Sequence, residues 1–440
     1  MTLSRRDFAG LLGLTGASVA IGRTLVPDPV ALAATEQVTA NPAAAVPSTG
    51  VKGRVVVVGG GMGGTSTARY LRMWGGSGLQ VTLVEPSAAY TSNIMSNLVL
   101  TGQRTVSSLR YSYAALQSTY GVTVLGTSAT GVDPAAKRVQ LANGSTLSYD
   151  RLVLAPGIVF DPLPGLTTAD YDSRFPHAWQ AGAQTTLLRN QLTAMRPGGT
   201  FVMTIPAAPY RCPPGPYERA CVVADWLKRN KPGSTVVVLD ANPKIMAEPI
   251  AFTEAFTRIH AGTIRYVPNA VIDHVDAATR TVSTSAGAFR ADVLNPIPPH
   301  RAGTIAQRTG LTTVGGGRWA GVDVLTYEST VAPGVHVVGD AIGTTQPKSG
   351  HIANAEAKVA ADAIVRLLGG WAPNPAPATS SACYSPITMG TASWLTAVFH
   401  YDPATRTMQV KSIGEAPAIS AGNYESMQKW FTGLMADTFT

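Results

Sequence analysis

The sequence predicts an α/β protein with two Rossmann-like dinucleotide-binding-type domains, and three observations carry that expectation. The short apolar run Arg54-Val55-Val56-Val57-Val58 leads directly into a glycine-rich turn. Two further apolar strands, Thr200–Ile205 and Val236–Asp240, flank a segment of helical spacing from Tyr217 to Lys228. A late strand, Val335–Val338, ends in Gly339-Asp340. Runs of this kind, apolar throughout rather than alternating, suit parallel strands buried on both faces. Composition agrees with a large core. The chain has 440 residues, 45% hydrophobic and 14% charged, against roughly 25% charged in an average soluble domain. Such a balance excludes disorder as the main state. The net charge of +8 is spread along the chain, and without a Lys/Arg cluster no nucleic-acid partner is expected. No apolar run reaches the roughly 18 residues of a transmembrane helix. Three cysteines are too few for a disulfide scaffold, and no C-x-x-C-H occurs to attach a haem.

Residues 1–33 read as an address. Ser4-Arg5-Arg6-Asp7-Phe8 precedes an apolar stretch from Ala9 to Ile21, and Ala31-Leu32-Ala33 offers the small residues of a cleavage site. Paired arginines before a weakly apolar segment are the pattern of a twin-arginine signal peptide. The expected location is therefore periplasmic or extracytoplasmic, with the protein exported folded. Residues 34–50, rich in Ala, Pro and Thr, are expected to form a flexible leader.

The first domain opens with a dinucleotide motif. Gly59, Gly61 and Gly64 satisfy G-x-G-x-x-G. The first permits a tight turn, the second a close approach of backbone to pyrophosphate, and the third close helix–strand packing. Thr65 to Met73 should follow as a helix whose N-terminal amides face phosphate. Val81–Val84 is the next strand, and Glu85 stands at its end to meet a ribose hydroxyl, 21 residues after Gly64. Gly339-Asp340 resembles the second FAD fingerprint of two-dinucleotide-domain flavoproteins, where the aspartate binds a ribityl hydroxyl. Ala155-Pro156-Gly157, after the strand Arg151–Val153, resembles the crossover motif of the same superfamily. Together these make FAD the expected cofactor.

The second β-α-β unit departs from a nicotinamide site. Its turn, Pro206-Ala207-Ala208-Pro209-Tyr210-Arg211-Cys212-Pro213-Pro214-Gly215-Pro216, has no glycine triplet. Proline has no amide hydrogen to offer a phosphate, so NAD(P)H is disfavoured. Cys212 lies beside Arg211 and just before a helix, two features that lower a thiol pKa. The expectation is a reactive thiolate. No His/Cys/Asp cluster has metal-ligand spacing, so no metal is expected.

The string Arg211-Cys212-Pro213-Pro214-Gly215-Pro216-Tyr217-Glu218-Arg219-Ala220 resembles the flavoprotein subunit of flavocytochrome c sulfide dehydrogenase. Pro176–Trp179, Tyr327–Thr330 and Pro347-Lys348-Ser349-Gly350 are similar too, and the last adds Lys348 to the cofactor set. The resemblance runs from about Val51 to Tyr384. It implies a discontinuous FAD domain (51–160 and 290–370), a second Rossmann-like domain (161–289) and a C-terminal α+β interface domain (371–440). It further implies oxidation of a small inorganic sulfur substrate, hydrosulfide, to sulfur or polysulfide, with electrons passing to a c-type cytochrome subunit. Two departures stand against the matches. The family's cysteine bonded to flavin is replaced by Asn93, or by Ser92 if the gap is placed differently, so FAD should be noncovalent. The family's second redox cysteine is replaced by Ala320. Cys212 is left with Cys221 or Cys383 as possible partners. Hydrosulfide oxidation, oxidation of another small thiol or sulfur compound, and a non-catalytic electron-transfer role are the three readings.

Overall fold

The computed structural model describes residues 46–440. The expected signal segment 1–33 and most of the leader lie outside the described residues. Along the chain run β1 (Gly53–Val58), α1 (Met62–Gly75), β2 (Leu79–Val84), β3 (Thr123–Leu125), β4 (Arg151–Leu154) and β5 (Thr200–Ile205). Then come α2 (Gly215–Asn230), β6 (Thr235–Asp240), β7 (Ile264–Val267), β8 (Val293–Pro296) and β9 (Val335–Val337). Last are α3 (Gly350–Leu368), β10 (Ala378–Pro386), β11 (Ala392–Asp402), β12 (Thr407–Glu415) and α4 (Ala421–Phe439).

Two parallel sheets form the body. In the first, β1 lies between β2 and β4, with Val57 opposite Leu83 and Val153. The strand β9, distant in sequence, returns to pair with β4 in parallel, Val335 opposite Leu152. Short antiparallel strands at Glu328–Ser329 and Val322–Asp323 extend that edge. The second sheet has the order β7-β6-β5-β8, all parallel. Val55 to Val58 and Val236 to Leu239 are all buried, which is why their sequences do not alternate. The first sheet, α1, α3 and α4 share one apolar core, and α2 packs the second sheet into another.

The C-terminal strands form an antiparallel meander, β10-β11-β12. After it, α4 turns back onto α1 and α3: Lys358 pairs with Asp437 at 2.8 Å, and Asn354 Nδ2 donates to Asp437 Oδ2 at 2.9 Å. The leader differs from expectation at its end. Ser77 N donates to Pro47 O at 2.8 Å, and the Thr49 hydroxyl donates to Gly75 O. Backbone groups at the α1–β2 turn find partners in the leader, which ties it down.

Candidate active site

Two glycines set the geometry at the start of α1. A Cβ on Gly64 would stand 1.8 Å from the Gly59 carbonyl oxygen, and one on Gly59 would stand 2.3 Å from that of Ala155. The helix can therefore sit against β1 and β4 only with glycine at both positions. Gly61 precedes the first helical residue, and a Cβ there would meet nothing nearer than Tyr90 at 4.0 Å. Its missing side chain leaves the floor of a cleft open. Glu85 closes the back of this turn: its Oε2 accepts from Gly60 N at 2.8 Å and its Oε1 from Ser87 N at 2.9 Å.

The cleft brings together many of the expected residues. Gly61, Asn93, Ala155, Gly157, Cys212, Gly339 and Asp340 line it. Gly59, Gly64 and Glu85 stand behind that wall, and Pro156 is not part of it. Asn93 faces the cleft while its Oδ1 accepts from Ala181 N at 2.8 Å. Ser92 is wholly buried and donates to Ile94 O at 3.1 Å. Of the two candidates for the missing cysteine, only Asn93 reaches the wall.

The Asp340 carboxyl has one oxygen, Oδ1, buried without a hydrogen-bond partner, and Arg211 stands 3.9 Å from the other. Burial raises its pKa, opposed by Arg211 and Lys348. A buried acceptor left unpaired is costly, and a ligand hydroxyl would satisfy it. The open cradle at Gly61 and this orphaned oxygen fit a bound dinucleotide. Lys348 is placed differently from expectation. It does not line the cleft: Nζ lies 3.7 Å over the Trp319 ring and donates to the carbonyls of Asp340 and Ile342. Burial lowers its pKa to about 8. Lys348 therefore holds the turn carrying Asp340.

Cys212 enters the wall in left-handed backbone, φ 59°, a conformation costing about 1–3 kcal/mol in a residue with a side chain. Both ends hold it there: Cys212 N donates to Lys348 O at 2.7 Å, and Cys212 O accepts from Gly215 N at 2.9 Å. Its Sγ rests above Gly215, where a Cβ would come within 2.8 Å of the sulfur. The expected thiolate is not what the surroundings favour. Burial raises the thiol well above its usual value, the nearby Glu218 raises it further, and Arg211 only partly offsets both. Arg211 is also engaged with Asp340 and with the Trp179 carbonyl.

The cleft wall also holds Asn97, Glu218 and Trp430, which the sequence reading did not assign to the site, and Cys383, which it named only as a possible partner of Cys212. Glu218 is buried in the first turn of α2, and its Oε1 accepts from Asn97 Nδ2 at 2.8 Å. Burial pushes its carboxyl up to about 8. The one signal for it was its being the single carboxylate in the proline-rich string at 211–220. Beside it Arg219 is fully buried and braces the wall by donating to Asn97 Oδ1, Asn295 Oδ1 and the carbonyls of His177 and Ala178. Ala320 is buried, outside the cleft, and hydrogen-bonded to Ala341 O through its amide.

Comparison with known proteins agrees with this geometry. Residues 53–193 match the family model of pyridine nucleotide-disulphide oxidoreductases. Residues 185–298 match that of the central part of the sulfide dehydrogenase [flavocytochrome c] flavoprotein chain. The chain is 59% identical over 46 residues to such a flavoprotein chain from Chlorobaculum thiosulfatiphilum, covering 94% of that sequence and 10% of this one. It is also 32% identical over 112 residues to ferroptosis suppressor protein 1 of Taeniopygia guttata, 28% of that protein's length and 26% of this chain's. The sulfide:quinone oxidoreductase of Aquifex aeolicus has the same fold, with TM-score 0.70, 17% identity, and 88% and 92% of the two chains covered. A NAD-dependent persulfide reductase from A. fulgidus superposes with TM-score 0.57 at 17% identity, covering 87% of this chain and 77% of its own. With its glycine turn, its FAD-type cleft and its matched central domain, the chain belongs to the sulfide dehydrogenase flavoprotein-chain family, among the FAD-dependent pyridine nucleotide-disulphide oxidoreductases.

Proposed function

We propose that the protein oxidises hydrosulfide to sulfur or polysulfide in this cleft and passes the electrons to a c-type cytochrome. The observation that carries the reading is Cys212 on the same wall as Gly61 and Asp340, with Glu218 beside it. FAD, when bound, supplies the two-electron acceptor. Gly59, Gly61 and Gly64 would hold its pyrophosphate at the start of α1, Glu85 the adenosine ribose, and Asp340 a ribityl hydroxyl. Ala155, Pro156 and Gly157 form the crossover beside the glycine turn, and Asn93, with no thiol, leaves FAD noncovalent. Cys212 is the sulfur-handling residue, and Glu218 is placed to take and return its proton.

Anaerobic addition of sulfide to the FAD-loaded protein should bleach the flavin, and later addition of oxidised cytochrome c should restore the yellow colour. A flavin that sulfide leaves unbleached would move the protein to another small thiol or to a non-catalytic electron-transfer role. Acid denaturation followed by filtration should release all the flavin; colour kept on the polypeptide would overturn noncovalent binding. Residues 1–33 are proposed to direct folded export. Replacing Arg5 and Arg6 by Lys should leave the protein in the cytoplasm.

A further inference from the structure

The three cysteines differ in where the fold puts them. Cys221 lies in the second turn of α2, wholly buried in the core under the second sheet and away from the cleft wall. Cys212 and Cys383 both line the cleft. They reach it on separate elements, Cys212 on the loop entering α2 and Cys383 near the middle of β10, which packs on α2. Both elements are fixed close to their sulfurs. Ala382 N donates to His351 Nδ1 at 2.8 Å, and Ser385 Oγ donates to Glu248 Oε1 at 2.6 Å. On the other side the Cys212 backbone is held by Lys348 and Gly215. The Glu218 carboxyl bears on both thiols, and Cys383 bears on Cys212. The Cys221 thiol instead faces Glu218, Glu248, Asp225 and Lys228.

We propose that Cys212 and Cys383 are the redox pair of this protein, bridged across the cleft when oxidised, in place of a pair that would include position 320. The assignment rests on the reading of the cleft as a site of sulfur chemistry. All three thiols are free in the structure, which corresponds to the reduced pair. Forming the S–S bond removes two protons and two electrons from the thiols; the electrons go to the flavin or to an added thiol oxidant. Hydrosulfide then attacks Sγ of Cys212, forming a persulfide and breaking the bridge. The electron pair leaves on Sγ of Cys383, which takes up a proton. A second hydrosulfide attacks the outer sulfur, releases HSS⁻ and leaves Cys212 as a thiol. The pair then gives its two electrons up again on closing.

The test counts thiols and needs no sulfide. The FAD-loaded protein is reduced with dithiothreitol, or oxidised with diamide, then alkylated with N-ethylmaleimide under denaturing conditions and weighed. Three adducts are expected after reduction and one after oxidation. Peptide mapping should place that one on Cys221 and should find the Cys212 and Cys383 peptides joined. Three adducts in both states, or a Cys212–Cys221 cross-link, would overturn the pair. Cys383→Ser should keep its flavin, show two adducts in either state, and slow flavin reduction by sulfide tenfold or more; Cys221→Ser should leave the rate unchanged. If Cys383→Ser fails to fold, the wild-type map decides alone. A bridge that forms while sulfide leaves the flavin unbleached would sink the sulfide reading and keep the pair, whereas bleaching without a bridge would do the reverse.

Discussion

Asp340 shows how one side chain ties the site to the fold. Its Oδ1 is buried and unpartnered, and burial holds the carboxyl's pKa up. Removing a hydrogen-bond partner of a buried group costs about 1–3 kcal/mol. Asp340→Ala should therefore weaken FAD binding roughly tenfold to a hundredfold, measured as flavin lost on dilution. Full flavin occupancy at dilution would remove Asp340 from the binding site. At Cys212 the sequence named a residue that the fold does place on the cleft, and misjudged its surroundings. Arg211 and the helix start were legible as neighbours, but neither the burial nor Glu218 was. Both oppose the thiolate, so proton removal has to accompany its reaction. Cys212→Ser should then abolish flavin reduction by sulfide, read anaerobically, with the flavin still bound; full reduction would assign the attack to the flavin directly.

At the scale of elements, the glycine turn is the part most completely legible. β1, α1, β2, β5, α2 and β6 were all expected; β5 has the expected bounds, and the others differ from expectation by one to three residues at their ends. Parallel strands buried on both faces leave continuous apolar runs, and a G-x-G-x-x-G turn leaves little freedom in where the helix begins. The contacts behind that turn are severe enough to test. Gly64→Ala would push a methyl group into the Gly59 carbonyl, a backbone atom that cannot swing aside. Overpacking of this kind costs about 1–3 kcal/mol or more. Thermal unfolding should drop by several degrees and flavin content should fall with it. An unchanged Tm with full flavin would refute the close packing of α1 on β1. The meander β10–β12 and the returning helix α4 had no comparable signal. Their sequences carry no motif, and their contribution to the cleft depends on packing against α2 and α1.

Across the whole molecule, buried titratable groups make stability depend on pH in two windows. Burial raises the carboxyls of Glu218 and Glu356 to about 8 and of Glu248 to about 7. In the unfolded chain these ionise near 4.3, so the folded state binds more protons above that value and loses stability as pH rises through 7–8. Burial also lowers His177 to about 3, and His336 and His351 to about 4. These bind protons in the unfolded chain near 6.5, so stability present above that pH is lost as pH falls toward 4. Between these limits the two sets oppose each other. Tm should fall from pH 6.5 to 8, and again below pH 4.5. Glu248→Gln should flatten the upper limb, by up to about 1.4 kcal/mol per pH unit. A Tm that rises steadily from pH 6.5 to 8 would show these carboxyls ionised in the fold.

Local sequence was enough for the two parallel sheets, for the glycine turn with its cofactor class, and for marking Cys212 out from the other two cysteines. Those features are encoded locally, by strand composition, by glycines that only one turn requires, and by a rigid proline loop. Tertiary structure alone decided the rest. It placed Cys383 and Glu218 on the wall with Cys212, set Cys221 and Ala320 apart from it, and turned Lys348 away from the cleft toward the Asp340 turn. These positions come from elements up to about 170 residues apart in the chain, and the burial that sets their proton affinities exists only once those elements have packed.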